Sequence, residues 1–242
     1  MAYKKTGYVV VPQLLSQDEL CELSQDCETL AAAPGVHILY EKDSKVVRRI
    51  ECIYDKSASL ASLNLRLKKL LASMFGVEFC LFKDKINFKA PGTAGFRPHY
   101  DGTFLWKDSF GNNQKGWFHY ASDFINVLVA IDECTIQNGT IEIAPRGNQR
   151  SFETYYGETM KDGTPHLREE IVNGMTFEPI LLNQGDVVVF SALCAHRSAM
   201  NRSTESRRVL YYTYNLASDG DHMDAYFRDK FGLNLGQAKA LQ

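Results

Sequence analysis

Lys85-Ile86-Asn87-Phe88-Lys89, a break at Ala90-Pro91-Gly92 and Gly95, and then Pro98-His99-Tyr100-Asp101 read as strand, loop and strand. On a strand, residues two apart point to one face, so His99 and Asp101 can share a single metal ion. The same triplet recurs at His222-Met223-Asp224, inside Asp221–Arg228, which reads as a helix. There, residues two apart diverge by about 200° around the axis and cannot easily meet on one ion. His222 and Asp224 are expected to be solvated helix residues.

Working outward, the chain changes period once. Before Glu78 it is helical: Ser16 with Glu19 makes a capping box ahead of Leu20, Leu23, Cys27 and Leu30, and this helix ends near Pro34-Gly35. A second helix runs from about Ser57 to Phe75, with Leu60, Leu63, Leu67, Leu70 and Leu71 on its apolar face and Gly76 as its stop. Tyr8–Val11 is a short β-branched run ended by Pro12. From Glu78 onward the spacing predicts strands at 78–82, 85–89, 98–101, 123–132, 140–144, 176–182, 186–191 and 207–215. Helices first and strands afterwards imply an α+β, mainly β fold, a barrel or sandwich with flanking helices. A double-stranded β-helix, the jelly-roll or cupin-like barrel, brings two distant strands together around an internal metal.

A chain of 242 residues with 45% apolar content can fill one such core, so residues 1–242 are expected to form a single domain. With 27 basic against 29 acidic residues, no nucleic-acid or polyanionic partner is suggested. Six cysteines without Cys-x-x-Cys spacing, no apolar leader and no membrane-length apolar run imply reduced thiols in a cytoplasmic protein away from membranes.

The distal candidate ligand is His196, after the strand Val187-Val188-Val189-Phe190. Two imidazoles and one carboxylate form the facial triad that holds ferrous iron with open positions. A hairpin through Asn201-Arg202-Ser203-Thr204 is expected to return at Arg207-Arg208, beside His196. Only one of these arginines can point inward, and a buried guanidinium needs an anion. The dicarboxylate 2-oxoglutarate supplies one, gripped through two parallel hydrogen bonds. Ser198, two residues from His196, can reach the same cosubstrate. The segment from Gly102 to Ser122 carries Phe104, Trp106, Phe110, Trp117, Phe118 and Tyr120; it reads as a hydrophobic flap, or a lid that dries the site.

Gly7-Tyr8-Val9-Val10-Val11-Pro12, Lys89-Ala90-Pro91-Gly92 before Pro98-His99-Tyr100-Asp101, Ala130-Ile131-Asp132 before Asn138-Gly139-Thr140, Ala144-Pro145, and Gln184-Gly185-Asp186-Val187 before His196-Arg197-Ser198 occur in this order. The ordered set resembles the phytanoyl-CoA dioxygenase family of Fe(II)/2-oxoglutarate oxygenases over nearly the whole chain. The resemblance implies a double-stranded β-helix, Fe(II) on His99, Asp101 and His196, and 2-oxoglutarate held mainly by Arg207. Ser198 and Asn126 match positions that help bind the cosubstrate, and the strand face with Lys85, Asn87 and Lys89 points toward that pocket. At Lys85 many relatives carry glutamine.

The implied oxidoreductase uses O2, releases succinate and CO2, and hydroxylates a C–H bond of a small polar molecule, with no catalytic side chain beyond the metal centre. Related halogenases lack the carboxylate ligand, so Asp101 favours hydroxylation. His196-Arg197-Ser198, Arg207 through Asn215, Gly220-Asp221 and Tyr226 through Lys230 are similar to the 2-aminoethylphosphonate hydroxylase branch, which points to an organophosphonate. The tail departs from that branch at Phe231-Gly232-Leu233-Asn234-Leu235. Arg97, Tyr212 and Asn87 are candidate substrate contacts. The competing readings are a non-catalytic cupin-like metal-binding or sensor barrel, which has no need of Arg207, and the same chemistry on a larger substrate such as a peptide, nucleobase or acyl thioester.

Overall fold

A computed structural model describes residues 2–33, 37–107, 111–146 and 150–231. Its helices are α1 (Ala2–Thr6), α2 (Gln17–Ala32), α3 (Ala58–Phe75), α4 (Phe152–Gly157), α5 (Glu169–Val172) and α6 (Met223–Phe231). Local chemistry sets the limits of the two long ones. The Ser16 hydroxyl accepts from the Glu19 amide while the Glu19 carboxylate accepts from the Ser16 amide, the reciprocal box that satisfies two donors at the start of α2. Ser57 caps α3 by accepting from Leu60 N, and Gly76 ends it at φ 72°, a left-handed conformation that glycine adopts without strain. The expected end of the first helix at Pro34-Gly35 lies outside the described residues.

Two sheets carry the barrel. The larger is built from β1 (Tyr8–Val11), β2 (His37–Tyr40), β3 (Val47–Glu51), β4 (Phe79–Lys89), β8 (Phe124–Ala130), β11 (Val187–Ser191) and β13 (Arg207–Leu216), in the order β1-β11-β8-β13-β4-β3-β2. The smaller has the order β10-β9-β12-β5, from β5 (Phe96–His99), β9 (Ile141–Ile143), β10 (Glu178–Pro179) and β12 (His196–Ser198). A separate pair, β6 (Trp106–Lys107) and β7 (Asn113–Gln114), lies in the aromatic segment. This is the double-stranded β-helix with flanking helices that the sequence predicts.

Alternation assigns the two faces of the large sheet. Val127, Val129, Val187, Val189, Leu210, Tyr212 and Tyr214 join the core formed with Leu20, Leu23, Leu60, Leu63 and Leu67 of the helices. Leu128, Ala130, Val188, Phe190 and Val209 point the other way and pack with Ile141 and Ile143 of the small sheet. The functional residues lie on this second, inward face. Among the described residues, no helix is long and apolar enough to cross a membrane, and all six cysteines are unpaired.

Four expectations change. First, 78–82 and 85–89 are one strand, β4, because Asp84 does not break it: its carboxylate is buried and accepts from Ile53 N and Tyr54 N. Second, β2 and β3 form a hairpin beside β4 that alternation did not reveal, since Arg48 and Arg49 interrupt the apolar pattern. Third, 176–182 shortens to Glu178–Pro179, where proline cannot donate to a ladder. Fourth, β12 and β13 are not a hairpin. β12 pairs with β5 and β9, whereas β13 pairs with β4 and β8, so Arg207 and His196 belong to opposite sheets and meet across the barrel interior.

Candidate metal centre

His99 ends β5, His196 opens β12, and the two are cross-strand partners, which brings their ring centroids to 4.2 Å. Asp101 does not continue the strand as expected; it lies in the turn beyond it. Gly102 follows at φ +78°, where a Cβ would press on the Trp117 ring at 3.1 Å, so glycine is needed to close this turn. The three candidate ligands nevertheless come together. His99 Nε2 lies 3.8 Å from Asp101 Oδ1 and His196 Nε2 lies 3.7 Å from Asp101 Oδ2. One ligand atom from each of the three falls within 4.8 Å of the others, the sole such cluster among the described residues. His222 instead hydrogen-bonds the Asp219 carbonyl just ahead of α6 and joins no cluster.

The second ring of contacts sets the protonation states. His99 Nδ1 donates to the Arg97 carbonyl at 2.7 Å, and His196 Nδ1 to the Cys194 carbonyl at 3.0 Å. A carbonyl only accepts, so the proton sits on Nδ1 and the Nε2 lone pair of each ring faces the cluster. Burial, with His196 alongside, drives the His99 imidazole down to about 3, and burial also lowers His196. Burial opposes ionisation of Asp101, but the electrostatic pull of the facing His196, His99, Lys83 and Lys85 outweighs it and lowers its pKa. Two neutral imidazoles and a carboxylate are the forms that ligate a divalent ion.

The same cavity is lined by Arg49, Lys85, Asn87, His99, Ser198 and Arg207, among others. Arg207 is only 4% exposed, and its Nε is buried with no hydrogen-bond partner. Arg208 points outward as alternation requires, donating through Nε and one terminal nitrogen to the two oxygens of Asp132. Arg207 is thus the inward arginine, and its orphaned donor fits a bound carboxylate. Ser198 Oγ accepts from Lys89 Nζ at 2.8 Å and from Phe96 N at 3.2 Å, leaving its own proton to donate to an anion. The close approach of β5 to β12 at this point depends on Gly95, where a Cβ would fall 1.8 Å from the Ser198 carbonyl oxygen.

Two expected cosubstrate contacts stand behind the cavity instead. Lys89 donates to Gly139 O, Ser198 Oγ and Ala199 O, which uses all three of its protons, so it positions Ser198. Asn126 donates to Asp101 Oδ2 at 2.8 Å and accepts from Thr213 Oγ1 at 2.7 Å, so it orients the carboxylate ligand. Asn87 lines the cavity and accepts from Arg49 Nε at 3.3 Å. Tyr212 lies on the helix-facing side of β13, and Arg97 is exposed; neither lines the cavity. Arg49 and Lys83 were missed, one in the unassigned hairpin and the other at an apparent break in β4.

The aromatic segment packs down on the barrel: Trp117 is 3% exposed, and Phe104, Phe118 and Tyr120 join the helix-side core. Phe110 and the departing tail beyond Phe231 lie outside the described residues.

The phytanoyl-CoA dioxygenase family profile matches residues 3–209. Methylphosphonate hydroxylase of Gimesia maris is 27% identical over 236 residues, covering 94% of this chain and 84% of that protein. A 2-aminoethylphosphonate dioxygenase from an uncultured bacterium is 28% identical over 238 residues with the same coverage, 94% and 84%. Among solved structures, EctD from S. alaskensis with 2-oxoglutarate and 5-hydroxyectoine superposes with a TM-score of 0.71 at 20% identity, over 90% of this chain and 75% of that one.

Proposed function

Because the chain belongs to the phytanoyl-CoA dioxygenase family, we propose that His99, Asp101 and His196 hold Fe(II), that Arg207 and Ser198 seat 2-oxoglutarate, and that the substrate is a small organophosphonate. The enzyme is a 2-oxoglutarate-dependent dioxygenase. The observation that carries the site assignment is the three-residue cluster sharing one cavity with a buried Arg207 whose Nε has no partner. A sensor barrel has no use for that guanidinium. The phosphonate reading is supported by the two relatives named for phosphonates, which align over nearly the full chain. Unpaired cysteines support a reducing, cytoplasmic compartment for a single domain over residues 1–242.

With iron and 2-oxoglutarate bound, O2 is consumed in an oxidative decarboxylation that yields succinate and CO2 and transfers one oxygen atom to a substrate C–H bond. The protein's own part is positional. Arg97 O and Cys194 O hold the imidazole tautomers, Asn126 fixes one oxygen of Asp101, and Lys89 turns the Ser198 hydroxyl toward the anion pocket. Arg207 offers a planar fork of donors to the cosubstrate's distal carboxylate. Trp117 and its neighbours keep the helix-side flank of the site dry.

Anaerobic addition of Fe(II) and 2-oxoglutarate should give the visible metal-to-ligand charge-transfer band of a chelated keto acid. The band should vanish in His99→Ala and Asp101→Ala. No band in wild type, or a band that survives both changes, would remove the assignment. Arg207→Ala should raise the 2-oxoglutarate concentration required at least about tenfold, as expected for a lost charge-assisted pair.

A further inference from the structure

The charges in the barrel do not close with iron and 2-oxoglutarate alone. A divalent metal, Asp101, the two carboxylates of the cosubstrate and Arg207 cancel one another. Glu51 is held by Lys230 and Arg49, which leaves one positive charge on that cluster. Three lysines remain: Lys89, whose protons go to Gly139 O, Ser198 Oγ and Ala199 O, and the pair Lys83 and Lys85. Both stand on the inward face of β4, and neither donates a hydrogen bond or forms an ion pair among the described residues. Their contacts are with ring faces: Lys83 Nζ lies 4.0 Å from the Trp117 centroid and Lys85 Nζ 4.7 Å from that of Tyr211. A half-buried ammonium without an anion is disfavoured, and desolvation holds Lys83 down to about 7 and Lys85 well below the ordinary lysine range. An anion arriving beside them would restore their charge.

Strand register says which anion they serve. Lys83 pairs with Thr213, and Thr213 with Asn126, so these three form one row across β4, β13 and β8 that ends on Asp101. Arg207 pairs with Lys89 at the other end of the inward face, six residues or roughly 20 Å of strand away from Lys83. Arg207 and Lys83 therefore stand at opposite ends of the inward face, with Asp101 tied to the row of Lys83 and with Lys85 between them, lining the cavity that His99, His196 and Arg207 share.

We propose that Lys83 and Lys85 form the receptor for a dianionic tetrahedral head group on the substrate, a phosphonate, seated beside Asp101. The proposal rests on the hydroxylase reading above and adds the residues and the charge that select the substrate. Two unpaired ammonium groups match a group with two negative charges and three acceptor oxygens; a carboxylate would leave one of them unpaired. With the head group anchored against the metal ligands, the C–H bond presented is the one closest to phosphorus.

The test uses the full chain as its anaerobic Fe(II)/2-oxoglutarate complex, titrated with methylphosphonate and, separately, with acetate. Tryptophan emission reports binding, because Lys83 sits on the Trp117 ring, while the charge-transfer band reports the cosubstrate independently. Methylphosphonate should alter the emission at concentrations at least about tenfold lower than acetate does. Lys83→Met and Lys85→Met should each weaken the phosphonate response by a similar factor and keep the wild-type circular dichroism, and Lys83→Met, outside the cavity that Arg207 lines, should leave the 2-oxoglutarate titration of the band unchanged. Lys83→Arg should recover most of the response. A wild-type band with no preference for phosphonate over acetate would overturn the receptor while sparing the hydroxylase reading. So would lysine variants that bind phosphonate as wild type does, or a Lys83→Met variant that shifts the 2-oxoglutarate titration in parallel. Absence of the wild-type band would instead strike the underlying reading.

Discussion

Asn126 fixes Asp101 Oδ2, and Thr213 fixes Asn126, so the orientation of the one anionic ligand depends on two neutral side chains. Asn126→Ala removes the donor without changing charge. Iron affinity, read by competition with a chelator, should fall about 10–100-fold, the usual effect of losing a ligand's supporting bond. An unchanged affinity would detach Asn126 from the centre. On the opposite face of β4, burial raises the Asp84 carboxyl to about 7 from 3.8, although the Ile53 and Tyr54 amides pull it down. A raised folded-state value means that the folded chain binds more protons between these limits. Its contribution to stability is therefore complete below the lower value and is lost as pH rises through the upper one. Asp84→Asn keeps an acceptor for the amides and never ionises. Its stability relative to wild type should rise between about pH 4 and about pH 7 in denaturant unfolding; a flat or falling difference would mean that Asp84 stays in one protonation state. The clustering of His99, Asp101 and His196 and the inward turn of Arg207 were legible in sequence because histidine, aspartate and an inward arginine have few other reasons to recur in this order. Lys83 and Arg49 were not, since a lysine on a strand reads as solvated until its neighbours across the sheet are known.

At the scale of elements, what is local was readable and what is paired at a distance was not. Helix α3 was predicted almost to the residue from a 3.6-residue period and its caps, and its buried face carries Leu60, Leu63, Leu67 and Leu71 as expected. Leu67→Ala should cost about 2–5 kcal/mol in denaturant unfolding, the range for a leucine truncated in a packed core. Leu65→Ala, on the exposed side at 60% exposure, should stay within about 0.5 kcal/mol. Comparable losses at both positions would contradict the face assignment. The strand pair β12 and β13 shows the limit. A short polar loop between two β-prone runs is the mark of a hairpin, yet here the chain crosses from one sheet to the other. The crossing rests on contacts with β4, β5, β8 and β9, none of which the loop itself encodes.

The whole molecule is two sheets whose inner faces hold opposite ends of one site. His99 and His196 come from the small sheet, Arg207 from the large one, and Asp101 from a turn tied back to the large sheet through Asn126. A metal ion with 2-oxoglutarate would bridge the sheets, so binding should stabilise the fold as a unit. Saturation at about a hundred times the dissociation constant adds about 2.7 kcal/mol, which for a domain of this size corresponds to a rise in Tm of roughly 5–10 °C. In anaerobic melting, 2-oxoglutarate alone should give little, because its chelating end lacks a partner, Fe(II) alone an intermediate shift, and the two together more than their sum. Arg207→Ala should retain the metal increment and lose the cosubstrate increment, whereas His196→Ala should lose both. A full shift from 2-oxoglutarate without metal, or one undiminished in Arg207→Ala, would show that the cosubstrate does not span the two sheets.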